Sequence, residues 1–181
     1  MILMFMLLTT GCKKQPAVST ASPTLHKAAR TGDIDKAKSL IAKGADVNAK
    51  DENTRTPLFY AAKYGHKDLA ELLIANGADI NMHGGTPFKT PLYIATYYGY
   101  KEVVEVLLSH GAEVNVLNDR KEIALHTAIR RGYKEIVELL IKYGADVNIK
   151  SYGQTPLDLA DNYHFPEIAE ILKAAGAKEG D

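Results

Sequence analysis

Cysteine, tryptophan and a surplus of charge of either sign are what this sequence lacks. It has one cysteine, Cys12, and a single cysteine excludes both an internal disulfide and a cysteine-based zinc site. The 22 Lys and Arg side chains balance the 22 Asp and Glu side chains, so the formal net charge is zero. Because proteins dedicated to nucleic acids usually carry a clear basic excess, we expect no nucleic-acid partner.

Signatures of catalysis and of cofactor binding are also missing. The sequence has no Gly-x-Ser-x-Gly elbow, no Gly-x-x-x-x-Gly-Lys phosphate loop and no His-x-x-x-His pair for a metal. His83, Gly84 and Gly85 have the pattern of a hydrolase oxyanion loop, but no nucleophile elbow accompanies them. We therefore predict no enzymatic activity, no cofactor, no metal site and no small-molecule substrate.

The N-terminal segment has the pattern of a secretory signal. Residues 1–8 form an uncharged apolar run, which is too short to span a bilayer because a spanning helix needs about 20 residues. Thr9, Thr10 and Gly11 then lead to Cys12. This segment resembles a bacterial lipoprotein processing site, with Thr9 where leucine is most usual. The resemblance implies that residues 1–11 are a removed signal peptide and that Cys12 carries lipid. The alternative is a ragged N-terminus with one inert cysteine.

Residues 12–22 comprise this cysteine and a polar, proline-containing stretch that is typical of a flexible tether. Lys13 and Lys14 beside a lipid favour an anionic membrane surface. Lipoproteins held in the inner membrane often have an aspartate after the cysteine, whereas Lys13 follows here. We therefore expect a lipid anchor in the bacterial cell envelope that faces the periplasm, with the outer membrane favoured in a Gram-negative organism.

From residue 23 onward, the sequence repeats with a period near 33. One leucine recurs at spacings of 33, 34, 33 and 32 residues, at Leu25, Leu58, Leu92, Leu125 and Leu157. A second string of five residues begins at Gly44, Gly77, Gly111 and Gly144. It reads Gly-Ala-(Asp/Glu)-(Val/Ile)-Asn. Two motifs that recur in phase indicate an array of stacked units in which each unit contacts only its neighbours.

These strings resemble the ankyrin repeat over residues 23–177. In Thr-Pro-Leu, threonine suits a helix N-cap and proline suits the first helical position, while the recurrent glycines suit helix ends. We therefore predict an all-α solenoid of about five helix-turn-helix repeats, joined by hairpin-like loops and capped by its terminal repeats. Residues 178–181 are the tail. Ile123 and Ala124 replace Thr-Pro in the fourth repeat, so we expect a missing N-cap there.

The resemblance further implies that a protein partner binds the concave face of the first helices and the loop tips. By position, the two residues before each first-helix glycine face the concavity, and we call them the stripe. The stripe consists of Arg30, Thr31, Lys63, Tyr64, Tyr97, Tyr98, Arg130 and Arg131. Since the stripe contains no acid and Tyr and Arg are enriched at hot spots, we expect a partner with an acidic surface. The alternative is a solvated face without a partner.

The loop tips supply further candidate contacts of mixed charge. They are Glu52, Asn53, Arg55, Phe88, Asp119, Arg120, Glu122 and Tyr152. The function predicted from all these features is a non-enzymatic protein-binding module of the envelope, and a specific form of it is an immunity or inhibitor protein that neutralises a toxin. Two alternatives stay open. One is a chaperone-like factor that assists an envelope enzyme, and the other is a secreted effector, which lipidation of Cys12 disfavours.

Overall fold

The computed structural model describes residues 22–85 and 89–180, and the helices in these ranges come in consecutive pairs. The first helices of the pairs are α1 (Ser22–Thr31), α3 (Pro57–Tyr64), α5 (Pro91–Tyr98), α7 (Ala124–Arg130) and α9 (Pro156–Asn162). The second helices are α2 (Ile34–Ala42), α4 (Lys67–Ala75), α6 (Lys101–Ser109), α8 (Lys134–Lys142) and α10 (Pro166–Ala174). None of the described helices combines the length and the apolar character needed to cross a bilayer.

The helices form two layers that run along the array. Each odd-numbered helix contacts the next odd-numbered one, each even-numbered helix contacts the next even-numbered one, and the two helices of a pair contact each other. The recurrent leucines are at most 2% exposed and belong to one continuous apolar core. The predicted all-α solenoid of five helix pairs is therefore confirmed.

Threonine and proline begin three of the first helices as expected. The hydroxyl oxygen of Thr56 accepts a hydrogen bond of 3.2 Å from the amide of Phe59, and Thr90 and Thr155 make the same bond over 3.1 Å. Proline follows each of these threonines at a position where its missing N–H costs nothing. The Thr-Pro pairs thus specify the starts of α3, α5 and α9 through local contacts alone.

The fourth repeat begins differently. Ile123 occupies the N-cap position of α7 without a side-chain hydrogen bond, which confirms the expected absence of a hydroxyl cap. The isoleucine is fully buried, and its amide donates to Nδ1 of His126 over 3.1 Å. The opposite ring nitrogen of His126 lies 2.8 Å from the carbonyl oxygen of Ile149, so the histidine links α7 to the next loop.

Glycine at the end of a first helix allows an aromatic ring from the next repeat to approach the backbone. Gly65 has a φ of 74°, and a Cβ atom there would lie 2.7 Å from the ring of Tyr100. Tyr133 covers Gly99 and Phe165 covers Gly132 in the same way. Any larger residue at these glycines would therefore displace the ring that joins two repeats.

Asparagines join the segments that follow the second helices of successive repeats. Oδ1 of Asn115 accepts from the amide of Asp146 over 2.9 Å, and its Nδ2 donates to the carbonyl of Gly144 over 3.0 Å. Asn48 makes the equivalent bonds to the following repeat, and Asn148 makes them to residues near the C-terminus. The amide of Lys178 thereby donates to Asn148 as the loop amides of Asp79 and Asp146 donate to the earlier asparagines. The predicted tail therefore completes the hydrogen bonding of the last repeat.

Candidate partner-binding face

The odd-numbered helices and the loops that precede them form one face of the array, which we call the inner face. A cavity of 790 Å³ near the N-terminal end lies between α1, α3 and the loop of residues 50–53. A second cavity of 460 Å³ lies further along and is lined by residues of α5, α7 and the loop before α7. The inner face thus offers two depressions that flank its centre.

Tyr97 stands at the edge of the second cavity with cations around its ring. The guanidinium carbon of Arg131 lies 3.9 Å from the ring centroid, and the ammonium nitrogen of Lys89 lies 5.1 Å from it. Tyr98 packs edge-on against the same ring with 5.2 Å between centroids. These distances are those of cation–π and aromatic contacts, so the cluster is held together by its own members.

A row of side chains runs along the loop roots at the residue before each N-cap. Its members occupy the same position of successive repeats and are Arg55, Lys89, Glu122 and Gln154. Glu122 is buried and pairs with Arg130, while Arg55 is partly buried with its guanidinium carbon 5.5 Å from the Phe59 ring. The prediction that Arg55 and Glu122 lie at loop tips was therefore wrong, because both side chains pack back against the first helices.

Two glycines allow the loop between α4 and α5, which we call the third loop, to pack against Arg55. A Cβ atom on Gly84 would lie 3.0 Å from the Cα atom of Arg55 and from the carbonyl oxygen of Thr54. The amide of Gly85 donates to the carbonyl of Asn53 over 3.0 Å. This close approach of two loops gives the glycine pair after His83 a structural reason that needs no oxyanion chemistry.

Several positively charged side chains lie near Lys89. Its pKa is lowered, first by burial and then by the nearby cations Arg120, Arg55 and Lys63, while Glu122 opposes the shift. Among the described residues, neither Lys89 nor Arg131 has an acidic partner in an ion pair. The centre of the inner face therefore carries positive charge that the described part of the chain compensates only in part, through the nearby Glu122.

Two of the loops are fixed by an Asx side chain at their base. Oδ1 of Asp51 accepts from the amides of Asn53 and Arg55 over 2.8 and 2.9 Å, and its Oδ2 accepts from the Tyr60 hydroxyl over 2.6 Å. Burial alone would raise the pKa of the Asp51 carboxyl, but these hydrogen bonds lower it overall. In the loop between α6 and α7, which we call the fourth loop, Oδ1 of Asn118 accepts in the same way from the amides of Arg120 and Glu122.

The structure divides the predicted stripe between the two cavities. Arg30, Thr31 and Tyr64 line the first cavity, and Tyr97, Arg130 and Arg131 line the second. Lys63 lies 5.4 Å from the Tyr64 ring centroid, and Tyr98 is 42% exposed. Arg130 differs from the expectation of an available cation, because Glu122 already neutralises it.

The predicted loop-tip residues have separate locations. Arg120 lines the second cavity and also a third one of 400 Å³, which Tyr152 lines as well. Tyr152 is 72% exposed and has a φ of 52°, so its loop turns through a left-handed residue. Phe88 and Cys12 lie outside the described residues, so the contact predicted for the one and the lipidation predicted for the other stay predictions.

Lys89 of the inner face was not singled out from the sequence, and Glu122 was predicted at a loop tip although it is buried. The signal was available, since Lys89 follows Arg55 by 34 residues and therefore shares its place in the period. Within the ranges 22–85 and 89–180, no three His, Cys, Asp or Glu side chains group as metal ligands would. The arrangement is one of cations and tyrosine rings, which suits contact with a macromolecule.

Comparison with known families agrees with this architecture. The model for ankyrin repeats, in three copies, matches residues 6–84, 25–118 and 92–180. The chain belongs to the ankyrin repeat family. Ankyrin repeats generally mediate protein–protein interaction, and the family is typically a non-enzymatic binding scaffold. No curated protein sequence matches this ankyrin chain.

Proposed function

We propose that this ankyrin chain is a non-enzymatic binding module of the bacterial cell envelope. Lipid on Cys12 anchors it, residues 13–22 tether it, and the inner face holds a protein with an acidic surface on the periplasmic side. The outer membrane is the anchoring membrane if the organism is Gram-negative. The observation that carries the proposal is the cluster of Lys89 and Arg131 around Tyr97, beside the 460 Å³ cavity.

Residue chemistry supports the inner face over the outer one. Tyrosine supplies large and fairly rigid contact area, and arginine supplies forked hydrogen bonds to carboxylates. On the inner face, Tyr64 is 37% exposed and lies beside Lys63. Tyr98 is 42% exposed and packs against the Tyr97 ring, which Arg131 covers. Exposed positions of the even-numbered helices, such as Lys101 and Glu135, alternate in charge and lack such rings.

Two observations support the anchor. The only cysteine follows an apolar run and three small residues, and the array begins at Ser22, ten positions after it. A stretch of ten residues reaches at most about 35 Å when fully extended. The inner face would therefore stay close to the membrane surface, where an envelope protein is within reach.

Within this proposal, an immunity or inhibitor protein is the specific form that we favour. A partner held on a rigid face is blocked in proportion to the amount of module present, so the titration of partner activity should end at one equivalent. A chaperone-like factor would raise the partner's activity instead. A secreted effector would be recovered from the culture medium rather than from the membrane fraction.

Site-specific photocrosslinking tests the binding face directly. A benzoylphenylalanine replaces Tyr98 in the full-length chain, which is a change from one aromatic ring to another at a 42% exposed position. The matched control carries the same group at the exposed Lys101 of α6. We expect a protein adduct from position 98 and none from position 101 after irradiation of cells that express the chain.

The two positions lie three residues apart in sequence but on different helices, so expression and anchoring should be equal. An adduct that forms at position 101 and is absent at position 98 would assign binding to the outer face. An absence of adducts at both positions, and also at Tyr64, would contradict the proposal of a protein partner on the inner face.

A further inference from the structure

We propose that the inner face recognises a carboxylate of the partner, in an exposed acidic segment, and that Lys89 and Arg131 hold this carboxylate beside the Tyr97 ring. The inference rests on the proposed function and specifies its anchor. Of the two adjacent arginines of the stripe, it assigns the anchor to Arg131 and not to Arg130. Three independent features of the structure lead to this assignment.

The first feature is the placement of Arg131. Its guanidinium carbon lies 3.9 Å from the centroid of the Tyr97 ring, so the ring restrains the guanidinium group before any partner arrives. Arg131 is exposed and has no acidic partner in an ion pair among the described residues. A restrained guanidinium loses less side-chain entropy on binding, and its paired N–H groups match the two oxygens of a carboxylate.

The second feature is the ion pair that Glu122 makes with Arg130. This acid acts on Lys89 electrostatically, but it pairs directly with Arg130 and its side chain is only 5% exposed. Its second oxygen lies 3.4 Å from Nδ2 of Asn118, so the loop holds the carboxylate in place. Glu122 therefore neutralises Arg130, whereas Lys89 and Arg131, the two cations that contact the Tyr97 ring, have no acidic partner in an ion pair among the described residues.

The third feature is the crowding around Lys89. Arg120, Arg55 and Lys63 surround it closely enough to lower its pKa, after the larger effect of burial. Like charges held together in a folded chain repel one another, and a bound anion would relieve this repulsion. The site therefore gains more from an anion than a single exposed lysine would.

The surroundings favour an acidic protein segment over free phosphate. Phosphate sites commonly use the free amides at a helix N-terminus, but Thr90 caps α5, and the fully buried Ile123 closes the start of α7. The cavity beside the cations is lined by Tyr93, Tyr97, Tyr133 and Tyr163. Tyrosine rings give flat apolar contact to the chain that carries the carboxylate, which a free anion would not use.

Binding of a labelled octaglutamate peptide tests the assignment without knowledge of the natural partner. The full-length protein in dodecyl maltoside is titrated at low ionic strength, and the peptide's fluorescence anisotropy gives the Kd. Lys89→Gln and Arg131→Gln should each raise the Kd about fivefold or more, because each removes a cation that contacts the carboxylate. Lys101→Gln removes the same unit of charge from the outer side and should change the Kd less than about twofold.

Each remaining outcome contradicts the assignment. If Lys101→Gln weakens binding as much as Lys89→Gln, the peptide responds to net charge and not to this site. If inorganic phosphate at matched ionic strength displaces the peptide at a lower concentration than glutamate does, the site prefers phosphate. If the peptide does not bind at all, the carboxylate anchor is wrong. The photocrosslinking result at position 98 is independent of charge, so it shows separately whether a protein binds this face.

Discussion

Glu122 and Arg130 form an ion pair at the root of the fourth loop, in which the carboxylate is the more deeply buried partner. The Glu122 side chain is 5% exposed, whereas the Arg130 side chain is 26% exposed. The pair connects the residue before the N-cap of α7 with the last residue of the same helix. It is therefore an internal contact of the fourth repeat, although its arginine belongs to a stripe that the sequence assigns to binding.

Arg130→Ala should destabilise the protein by about 1–3 kcal/mol, because it leaves the Glu122 carboxylate buried without its cation. Arg131→Ala, at the exposed neighbouring position, should lower the free energy of unfolding by no more than about 1 kcal/mol, the value of its cation–π contact with Tyr97. Urea unfolding of the two variants measures both values. Adding Glu122→Gln to Arg130→Ala should recover part of the loss, and no recovery would mean that the arginine acts through packing alone.

Ala124→Pro should stabilise the fourth repeat by about 0.5–1 kcal/mol. Position 124 is the first residue of α7, where Pro57, Pro91 and Pro156 stand in other repeats. Ile123 already has φ −92° and ψ 169°, the extended conformation that a residue before proline prefers. Thermal unfolding of the single variant checks this prediction, and a lowered midpoint would show that the amide of residue 124 has an acceptor.

Replacing Ile123 with threonine as well should not add to this gain. Threonine would provide a hydroxyl cap, which is worth about 0.5–2 kcal/mol. The isoleucine is fully buried, however, and replacing its Cγ1–Cδ1 ethyl group with a hydroxyl costs a similar amount. The double variant and Ala124→Pro alone should therefore unfold at nearly the same urea concentration.

His126 should make the stability of the fold depend on pH. Burial lowers its pKa below the usual 6.5, and the hydrogen bond to the Ile149 carbonyl only partly opposes this shift. Below pH 6.5 the unfolded chain binds a proton that the folded chain does not, so the free energy of unfolding falls as the pH falls. The decrease is at most about 1.4 kcal/mol per pH unit for one group, down to the folded-state pKa.

Urea unfolding at pH 7.5 and 5.5 measures this slope for the wild type and for His126→Gln. The glutamine oxygen can still accept from the amide of Ile123, as in a capping box. The variant should nevertheless be less stable at pH 7.5, because it does not fill the place of the fully buried ring or keep its bond to the Ile149 carbonyl, and its stability should change less between the two pH values. Equal slopes in the two proteins would assign the pH dependence to other groups and contradict the role given to His126.

Cys12→Ser should release the protein from the membrane fraction. A single acyl chain binds a bilayer only marginally, so stable anchoring needs the two or three chains of a processed lipoprotein. Metabolic labelling with a radioactive fatty acid should mark the wild type and leave the variant unlabelled. Wild type and variant that fractionate alike and lack label would show that Cys12 is not lipidated.

The helices could be predicted from the sequence because each repeat carries its own start and stop. Thr56 and Pro57 specify the start of α3 locally, and Gly65 specifies its end through a left-handed conformation. These signals act within about ten residues and do not depend on how repeats stack. The same locality explains why Ile123 and Ala124 marked an altered helix start correctly.

Contacts between repeats and loops could not be predicted in the same way. Spacing pairs Tyr98 with Arg131, which are 33 residues apart, but the guanidinium lies over Tyr97 instead. The direction of each side chain depends on the rotation of one helix pair relative to the next. Glu122 looked like a loop tip because its burial results from the loop folding back onto α7, which the period does not encode.

The affinity of the crosslinked partner for two double variants tests the central claim, that the inner face binds it, most directly. Tyr97→Ala with Arg131→Ala changes the inner face without breaking the Glu122–Arg130 pair, and Lys101→Ala with Glu135→Ala changes exposed residues of α6 and α8. Isothermal titration calorimetry should show a loss of at least about 2 kcal/mol, roughly thirtyfold in Kd, for the first variant and nearly unchanged binding for the second. Normal binding by the inner-face variant and loss of binding by the outer-face variant would contradict the claim.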